Sequence, residues 1–294
     1  MRLPAPSAIA ELFKPITWFP PMWAFACGAV ASGVPAQGRL GVIAGGVLLA
    51  GPLVCATSQA VNDWFDRHVD AINEPQRPIP SGRMPGRWGL YLALLWTLVS
   101  AAVAWALGYW AFVAGLAGLA LAWAYSAPPL RLKRNGWWGN AACGLSYEGL
   151  AWVTGTAIMV GGAPGLPSLT LALLYSAGAH GIMTLNDYKS IEGDRRMGIR
   201  SLPVALGPER AARVACWTMA LPQLVVVALL LSWGQGPYAL GVALLLLAQW
   251  LLMRRFLASP VERALWYSGF GVTLYVLGML VAAFALRASA GGGA

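Results

Sequence analysis

Apolar runs close to 20 residues long recur along the whole 294-residue chain, and each is long enough for an α-helix to cross a bilayer. Only 11% of the residues are charged, whereas about 25% are charged in a soluble domain. Because backbone polar groups inside a bilayer must be satisfied within their own segment, we expect an all-α membrane protein whose helices surround a central cavity. We predict about nine transmembrane helices, at 16–33, 41–63, 89–107, 110–126, 139–160, 167–187, 212–233, 237–254 and 264–286.

The connections between these spans differ in length and charge, which predicts the topology. The segments 64–88, 127–138, 188–211 and 255–263 are long, and with the N-terminal segment they carry most of the 20 basic residues. The positive-inside rule places this side, and the N-terminus, in the cytoplasm. The net charge of +9 therefore marks membrane topology, and we expect no nucleic-acid partner. We predict one domain over 1–287 and a disordered tail over 288–294.

Seven of the 11 acidic residues lie within 62–74 and 186–194, next to predicted membrane boundaries. Carboxylate and amide oxygens are the ligands that Mg²⁺ prefers, and Mg²⁺ in turn suits a diphosphate substrate. We predict a magnesium site with catalytic carboxylates at Asp66, Asp70, Asp187 and Asp194. The full predicted ligand set is Asn62, Asp63, Asp66, Asp70, Asp187, Glu192 and Asp194.

Helical spacing supports a shared face within each acidic segment. Asn62, Asp66 and Asp70 are four residues apart, and Asp187 and Asp194 are seven apart, so each set falls on one side of a helix. The two segments lie four predicted spans apart in the same orientation, so they are expected to face each other across one cavity. The alternative is that these acids cap helix ends or pair with basic loop residues such as Lys189, Arg195 and Arg196.

Basic residues on the same side are candidates for binding phosphate oxygens. Arg77, Lys133, Lys189 and Arg200 are the predicted substrate-binding cations. Prolines around Arg77 fix the backbone and would aim its side chain. The alternative is that each of these cations only contributes to the positive-inside signal.

Two further candidate residues lie inside predicted spans and outside the two acidic motifs. Glu148 is an intramembrane carboxylate with no cation nearby in the sequence, and such residues are costly and often functional. We predict that it contacts a polar edge or a metal of the acceptor substrate, with a neutral, hydrogen-bonded Glu in the bundle interior as the alternative. His180 is a candidate ligand for the acceptor, with a packed helix histidine as the favoured alternative.

The acidic motifs, together with longer strings, carry a resemblance to a known family. The pattern Asn62-x3-Asp66-x3-Asp70 and the second motif ending at Asp194 resemble the intramembrane (UbiA-type) prenyltransferase superfamily. The string Asn-Asp-Trp-Phe-Asp-Arg-His-Val-Asp-Ala-Ile-Asn-Glu-Pro-Gln-Arg-Pro-Ile-Pro-Ser-Gly (62–82) is similar to the chlorophyll and bacteriochlorophyll synthase branch. The strings 125–133 and 180–194 fit the same branch.

The resemblance implies an enzyme that esterifies the propionate of chlorophyllide or bacteriochlorophyllide. The donor would be geranylgeranyl or phytyl diphosphate, with Mg²⁺ as cofactor, at the cytoplasmic side of a photosynthetic membrane. The resemblance also places Tyr125 among the substrate-binding residues. One departure is at Ser190, where many superfamily members have Asp, and we expect Asp187 to supply the missing carboxylate.

Two other functions remain open from the sequence. One is a prenyltransferase of the same superfamily that acts on a quinone precursor or on haem. The other is a cation-coupled secondary transporter, since intramembrane acids also occur in transporters. Against transport, the acids lie at one interface instead of near the midplane, where transporter sites are usual.

Overall fold

The computed structural model describes residues 3–291, and the regular secondary structure in this range is helical. One isolated bridge joins Asn135 to Arg200. The α-helices are α1 Pro6–Phe13, α2 Phe19–Ala31, α3 Leu40–Leu48, α4 Ala56–Asn73, α5 Trp88–Ala106, α6 Tyr109–Ser126, α7 Gly136–Gly144, α8 Ala151–Val160, α9 Leu166–Asp187, α10 Ile191–Arg196, α11 Leu202–Leu206, α12 Pro208–Ser232, α13 Gly236–Ala258 and α14 Pro260–Gly291.

Several of these helices continue into one another through short non-α turns. A π-helical turn, Leu49–Cys55, joins α3 to α4, and it contains Pro52. A second π-helical turn, Leu145–Leu150, joins α7 to α8. A 3-10 turn, Tyr188–Ser190, joins α9 to α10. Proline and π-helical turns are common causes of kinks in long helices. The two π-helical turns lie within the membrane-spanning bundle.

Seven continuous helical stretches within residues 3–291 are long and apolar enough to cross a membrane. The two other predicted spans, 16–33 and 139–160, are also helical. However, α2 has only 13 residues, and 139–160 is divided by the second π-helical turn. The prediction of an all-α, multi-pass membrane protein is confirmed, and the count of nine spans is approximate.

Two predicted boundaries are wrong. Helix α4 runs to Asn73, past the end of the predicted span at residue 63, and it carries the whole first acidic motif on a helix, as the four-residue spacing predicts. Helix α14 continues to Gly291, so residues 288–291 are helical where a disordered tail was predicted. The rest of that predicted tail, 292–294, lies outside the described residues.

Close helix packing in the bundle depends on small residues. A Cβ on Gly28 of α2 would lie 2.0 Å from the carbonyl oxygen of Trp152, and one on Gly155 of α8 would lie 2.1 Å from that of Phe25. The backbones of α2 and α8 therefore touch at two reciprocal points. Membrane helices associate through such small residues because apolar burial alone gives no driving force in lipid.

Candidate active site

Helix α4 carries the first acidic motif to the rim of a cavity. Because α4 is unbroken from Ala56 to Asn73, the four-residue spacing of Asn62, Asp66 and Asp70 places all three side chains on one face. All three line the cavity. The predicted shared face is therefore present in the structure.

The second acidic motif reaches the same cavity through a change of direction. Helix α9 ends at Asp187, the 3-10 turn follows, and α10 carries Asp194. Both carboxylates line the cavity. Ser190 Oγ donates a hydrogen bond to Asp194 Oδ2 at 3.1 Å, and Asn140 Nδ2 donates one to Asp187 Oδ2 at 3.3 Å. The second-motif carboxylates thus accept hydrogen bonds from neutral groups.

The cavity that unites the two motifs has a volume of about 630 Å³ and is open on one side. Polar and charged side chains from three parts of the chain, 62–77, 131–140 and 187–201, surround it. They are Asn62, Asp66, Asp70, Asn73, Glu74, Arg77, Arg131, Lys133, Arg134, Asn140, Asp187, Lys189, Ser190, Asp194 and Ser201. Carboxylates and guanidinium or ammonium groups therefore share one space, and both kinds of group are suited to a metal-assisted phosphate site.

The loop before α7 brings two cations to Asp66. Arg131 Nη2 donates to Asp66 Oδ1 at 3.2 Å, and Lys133 Nζ donates to the other oxygen. Backbone hydrogen bonds hold this loop against the chain that follows α10, because Arg200 N donates to Arg134 O at 3.0 Å and Gly136 N donates to Arg200 O at 2.9 Å. The loop cations and the second motif are thereby fixed relative to each other.

Arg77 also lines the cavity, where three carboxylates hold it. Its Nε and Nη2 donate to Glu74 at 2.6 and 2.7 Å, and its Nη1 donates to Asp70 Oδ2 at 2.9 Å. The same Nη1 lies 3.4 Å from Asp63 Oδ1. Burial opposes the charge of Arg77, but Asp63 and Asp70 outweigh it and raise the pKa of the guanidinium. Arg77 is therefore a fixed positive charge.

Lys133 is the most deeply buried cation on the cavity wall, with only 8% of its side chain exposed. Burial lowers the pKa of Lys133, and the neighbouring carboxylate of Asp66 opposes that shift. The first motif thus has cations as partners, whereas the second has neutral donors. The cations and carboxylates around the first motif can exchange partners when an anion and a metal bind together.

The residues present fit a magnesium ion by the chemistry of their donors. Among residues 3–291, no three His, Cys, Asp or Glu side chains lie close enough together to hold a metal on their own. The carboxylates instead face a common space, and the first-motif acids are drawn to their cations. The amide nitrogen of Asn62 donates a hydrogen bond to Ser126 Oγ at 3.3 Å. The amide oxygen of Asn62 accepts no hydrogen bond from the described residues. This set of oxygen donors suits Mg²⁺ when substrate oxygens complete its coordination.

An apolar chamber continues from the polar cavity into the bundle. Asn62 and Tyr125 line both spaces, so they mark the neck between them. The chamber has a volume of about 190 Å³. A smaller space of about 30 Å³ extends it past Gly115 and Gly118 on α6. A polar head and an apolar tail of one substrate can therefore occupy adjoining spaces.

Two predicted metal ligands lie elsewhere. Asp63 points away from the cavity and is only 1% exposed, and its Oδ1 accepts from Lys14 Nζ at 2.6 Å. Glu192 is on the outer side of α10, 66% exposed, and pairs with Arg195 and Arg196. Glu192 therefore agrees with the alternative prediction, in which the acidic residues pair with loop arginines.

Three predicted substrate-binding residues also lie outside the cavity lining. Glu148 is buried in the second π-helical turn, and its Oε2 has no hydrogen-bond partner in the part of the chain that the structure describes. His180 packs with its ring centroid 5.4 Å from that of Trp137. Arg200 contributes backbone hydrogen bonds, and its side chain is exposed. By contrast, Arg77, Tyr125, Lys133 and Lys189 line the cavity as predicted.

Sequence reasoning missed Arg131 and Asn140. Arg131 stands in the string 125–133 but carries no spacing signal, and its contact with Asp66 spans 65 residues. Asn140 is a lone polar residue near the start of a predicted apolar span, which was the available signal. Its Nδ2 also lies 3.2 Å from Thr184 Oγ1, so it links α7 to α9 beside Asp187.

The chain is similar to known proteins over most of its length. Residues 17–270 match the model of the UbiA prenyltransferase family. The chain is 57% identical to the bacteriochlorophyll synthase 33 kDa chain of Cereibacter sphaeroides, over 97% of this chain and 94% of that protein. It is 39% identical to the chloroplastic chlorophyll synthase of Arabidopsis thaliana, over 94% of this chain and 73% of that protein.

A solved structure shares the fold. The UbiA homolog from Archaeoglobus fulgidus bound to GPP and Mg²⁺ superposes with a TM-score of 0.67 at 20% identity. The match covers 97% of this chain and 98% of that one. At this identity the likeness establishes the helical architecture alone.

Proposed function

The chain belongs to the UbiA prenyltransferase family, and we propose that it esterifies the propionate of bacteriochlorophyllide or chlorophyllide with a prenyl group. The donor is geranylgeranyl or phytyl diphosphate, and the second product is diphosphate. The bond from the allylic carbon to the diphosphate oxygen breaks, and a bond from the same carbon to a propionate oxygen forms. The propionate is already ionised at neutral pH, so no strong general base is needed.

The observation that carries this proposal is the meeting of two acidic motifs at a cavity that opens into an apolar chamber. A transporter needs an ion site and a path, whereas a prenyl transfer needs a polar site joined to a long apolar space. The full-length similarity to proteins named bacteriochlorophyll synthase supports the tetrapyrrole acceptor over a quinone precursor or haem. The higher identity to them than to the plant protein supports bacteriochlorophyllide as the preferred acceptor.

The carboxylates of both motifs would hold Mg²⁺. Asp66 and Asp70 on α4 and Asp187 and Asp194 on the second motif are the proposed ligands, with Asn62 offering its amide oxygen. Bound there, Mg²⁺ would neutralise the negative charge that develops on the diphosphate as this group leaves.

The cations of the cavity would bind and orient the diphosphate. Arg77, Arg131 and Lys133 all line the cavity. Guanidinium groups match phosphate oxygens in pairs, so Arg77 and Arg131 would fix the orientation of the group. Lys133 would exchange its bond to Asp66 for a bond to phosphate. Lys189 lines the same space and adds positive charge.

The apolar chamber would hold the prenyl tail and keep water away from the reacting carbon. Tyr125 stands at the neck, where the allylic carbon of a donor bound in this way would lie. An aromatic ring beside that carbon stabilises positive charge through cation–π attraction. Exclusion of water matters because water would compete with the propionate for the allylic cation.

We place the site at the cytoplasmic side of a photosynthetic membrane. The residues that line the polar cavity include five basic side chains, and basic residues favour the cytoplasmic side. Labelling of single cysteines introduced at Arg196 and at Gly38 with an impermeant thiol reagent in intact cells tests this orientation. Protection at 196 together with labelling at 38 agrees with it, and the reverse pattern contradicts it.

The experiment that tests the function is an esterification assay with the detergent-purified protein. Bacteriochlorophyllide a and geranylgeranyl diphosphate are incubated with Mg²⁺ or with EDTA, and the pigment is followed by reversed-phase chromatography. We expect a strongly retained ester with Mg²⁺ and none with EDTA. A repeat with chlorophyllide a compares the two acceptors. No retained ester with either pigment, from folded protein, would contradict the proposal.

A further inference from the structure

Asp63 is a buried carboxylate beside the cavity that the proposed mechanism does not use. It is 1% exposed, and its Oδ1 lies 2.6 Å from Lys14 Nζ and 3.4 Å from Arg77 Nη1. Its Oδ2 is buried without a hydrogen-bond partner among residues 3–291. A buried charge with incomplete satisfaction is costly to the fold, so its partners are important.

Lys14 holds the shorter of the two bonds to this carboxylate. It ends α1 in a left-handed backbone conformation with φ of 47°. Helix α1 buries Ala8, Leu12 and Phe13 in a cluster with residues of α4 and α5, so Lys14 is carried on a packed element. Its side chain is 22% exposed and reaches α4 from outside the bundle. The position of the ammonium group is therefore set by the packing of α1.

Arg77 links Asp63 to the cavity. Its Nη1 lies between Asp63 Oδ1 and Asp70 Oδ2, and the bond to Asp70 is the shorter by 0.5 Å, from 3.4 and 2.9 Å. Asp70 lines the cavity and Asp63 does not. Glu74 holds Nε and Nη2 of Arg77, so the balance between Asp63 and Asp70 acts on Nη1, which contacts both, and sets how far this group reaches into the cavity.

We propose that Lys14 is a positioning residue for the transfer reaction: by neutralising Asp63, it leaves Arg77 directed at the diphosphate. Without Lys14, the buried Asp63 has Arg77 as its remaining cation within ion-pair distance among residues 3–291. Opposite charges attract strongly where water is excluded, so Arg77 shifts toward Asp63 and away from the diphosphate. This inference rests on the proposed function, since it needs a diphosphate substrate.

The test measures KM for geranylgeranyl diphosphate, and kcat, in four variants and in the wild type. We expect Lys14→Met to raise KM about tenfold, equal to about 1.4 kcal/mol, with kcat changed less than about threefold. The double variant Lys14→Met/Asp63→Asn removes both charges, so its KM should return to within about threefold of the wild-type value. Lys14→Arg keeps the positive charge, so its KM should also stay close to the wild-type value. A purely structural role of Lys14 would not predict recovery in the double variant.

Glu11→Gln is the matched control on the same helix. Glu11 pairs with Arg83 at 2.6 and 2.9 Å, but both side chains are exposed and neither contacts Asp63. Exposed ion pairs contribute little to stability, and this pair does not touch Asp63, so KM should stay within about twofold of wild type. The melting temperature of each variant is measured first, and Lys14→Gln replaces Lys14→Met if the latter does not fold.

The outcomes separate this inference from the proposed function. If wild-type protein forms no prenyl ester, the proposed function fails. If wild type is active but folded Lys14→Met keeps the wild-type KM, the positioning role is refuted. The role is also refuted if KM stays raised in the double variant, because the loss then does not depend on the charge of Asp63.

Discussion

Asp66→Asn tests the chemistry of the cavity, because it removes one negative charge and keeps the size of the side chain. Asp66 is the carboxylate that both cations of the loop before α7 contact. It is on the face of α4 that lines the cavity, and it accepts bonds from Arg131 at 3.2 Å and from Lys133. The variant therefore removes a proposed metal ligand and the partner of two cations.

The expected effect on stability is small compared with the effect on rate. Lys133 is mostly buried and loses a charged partner, which costs about 1–3 kcal/mol of unfolding free energy. Loss of one group that stabilises developing charge typically lowers kcat about 10²- to 10³-fold. The folded population should therefore remain high while ester formation nearly stops.

The assay is ester formation at saturating Mg²⁺, with unfolding in detergent measured in parallel. Glu192→Gln is the matched control, because it makes the same change of charge at a carboxylate that is exposed and outside the cavity. We expect this control to keep at least about half of the wild-type rate, as for an exposed ion pair. Near-normal activity of folded Asp66→Asn would refute the proposed metal role.

Three further variants test separate parts of the structure. Asn140→Leu removes the hydrogen bond to Asp187, so kcat/KM should fall about tenfold, as for one bond to a charged group, in steady-state esterification assays. Gly118→Leu fills the apolar chamber, so the ratio of kcat/KM for geranyl to that for geranylgeranyl diphosphate should rise; an unchanged ratio contradicts the tail position. Gly155→Ala places a Cβ 2.1 Å from the carbonyl oxygen of Phe25, so it should lower the unfolding free energy by about 1–3 kcal/mol. Thermal unfolding in detergent measures that loss.

Local periodicity predicted the parts of the site that lie along single helices. Asn62, Asp66 and Asp70 share a face because their spacing follows the helical repeat, and α4 is unbroken through the motif. Asp63 was predicted as a metal ligand, but it does not line the cavity, and its partner Lys14 lies 49 residues away in the sequence. Asp63 follows Asn62 directly, so it lies about 100° around α4 from the cavity face. The sequence could not show that Lys14 on the packed helix α1 pairs with it there.

The second motif shows where helical spacing fails as a guide. Asp187 and Asp194 reach the cavity together, yet a 3-10 turn interrupts the helix between them. Their common orientation depends on the 3-10 turn and on contacts such as the bond from Ile199 N to Asp194 O at 2.9 Å. Glu192, two residues from Asp194, therefore faces outward. Contacts between distant segments also explain why Arg131 was missed.

The central claim is that both acidic motifs serve one metal and diphosphate site, and Mn²⁺ binding measures this directly. Mn²⁺ replaces Mg²⁺ at oxygen-rich sites and is detected by electron paramagnetic resonance. The protein is titrated with Mn²⁺ in the presence of geranylgeranyl thiolodiphosphate, a slowly reacting analogue. We predict that Asp66→Asn and Asp187→Asn each lose the tightly bound Mn²⁺ of the wild type. Wild-type Mn²⁺ binding in either variant would contradict the shared site.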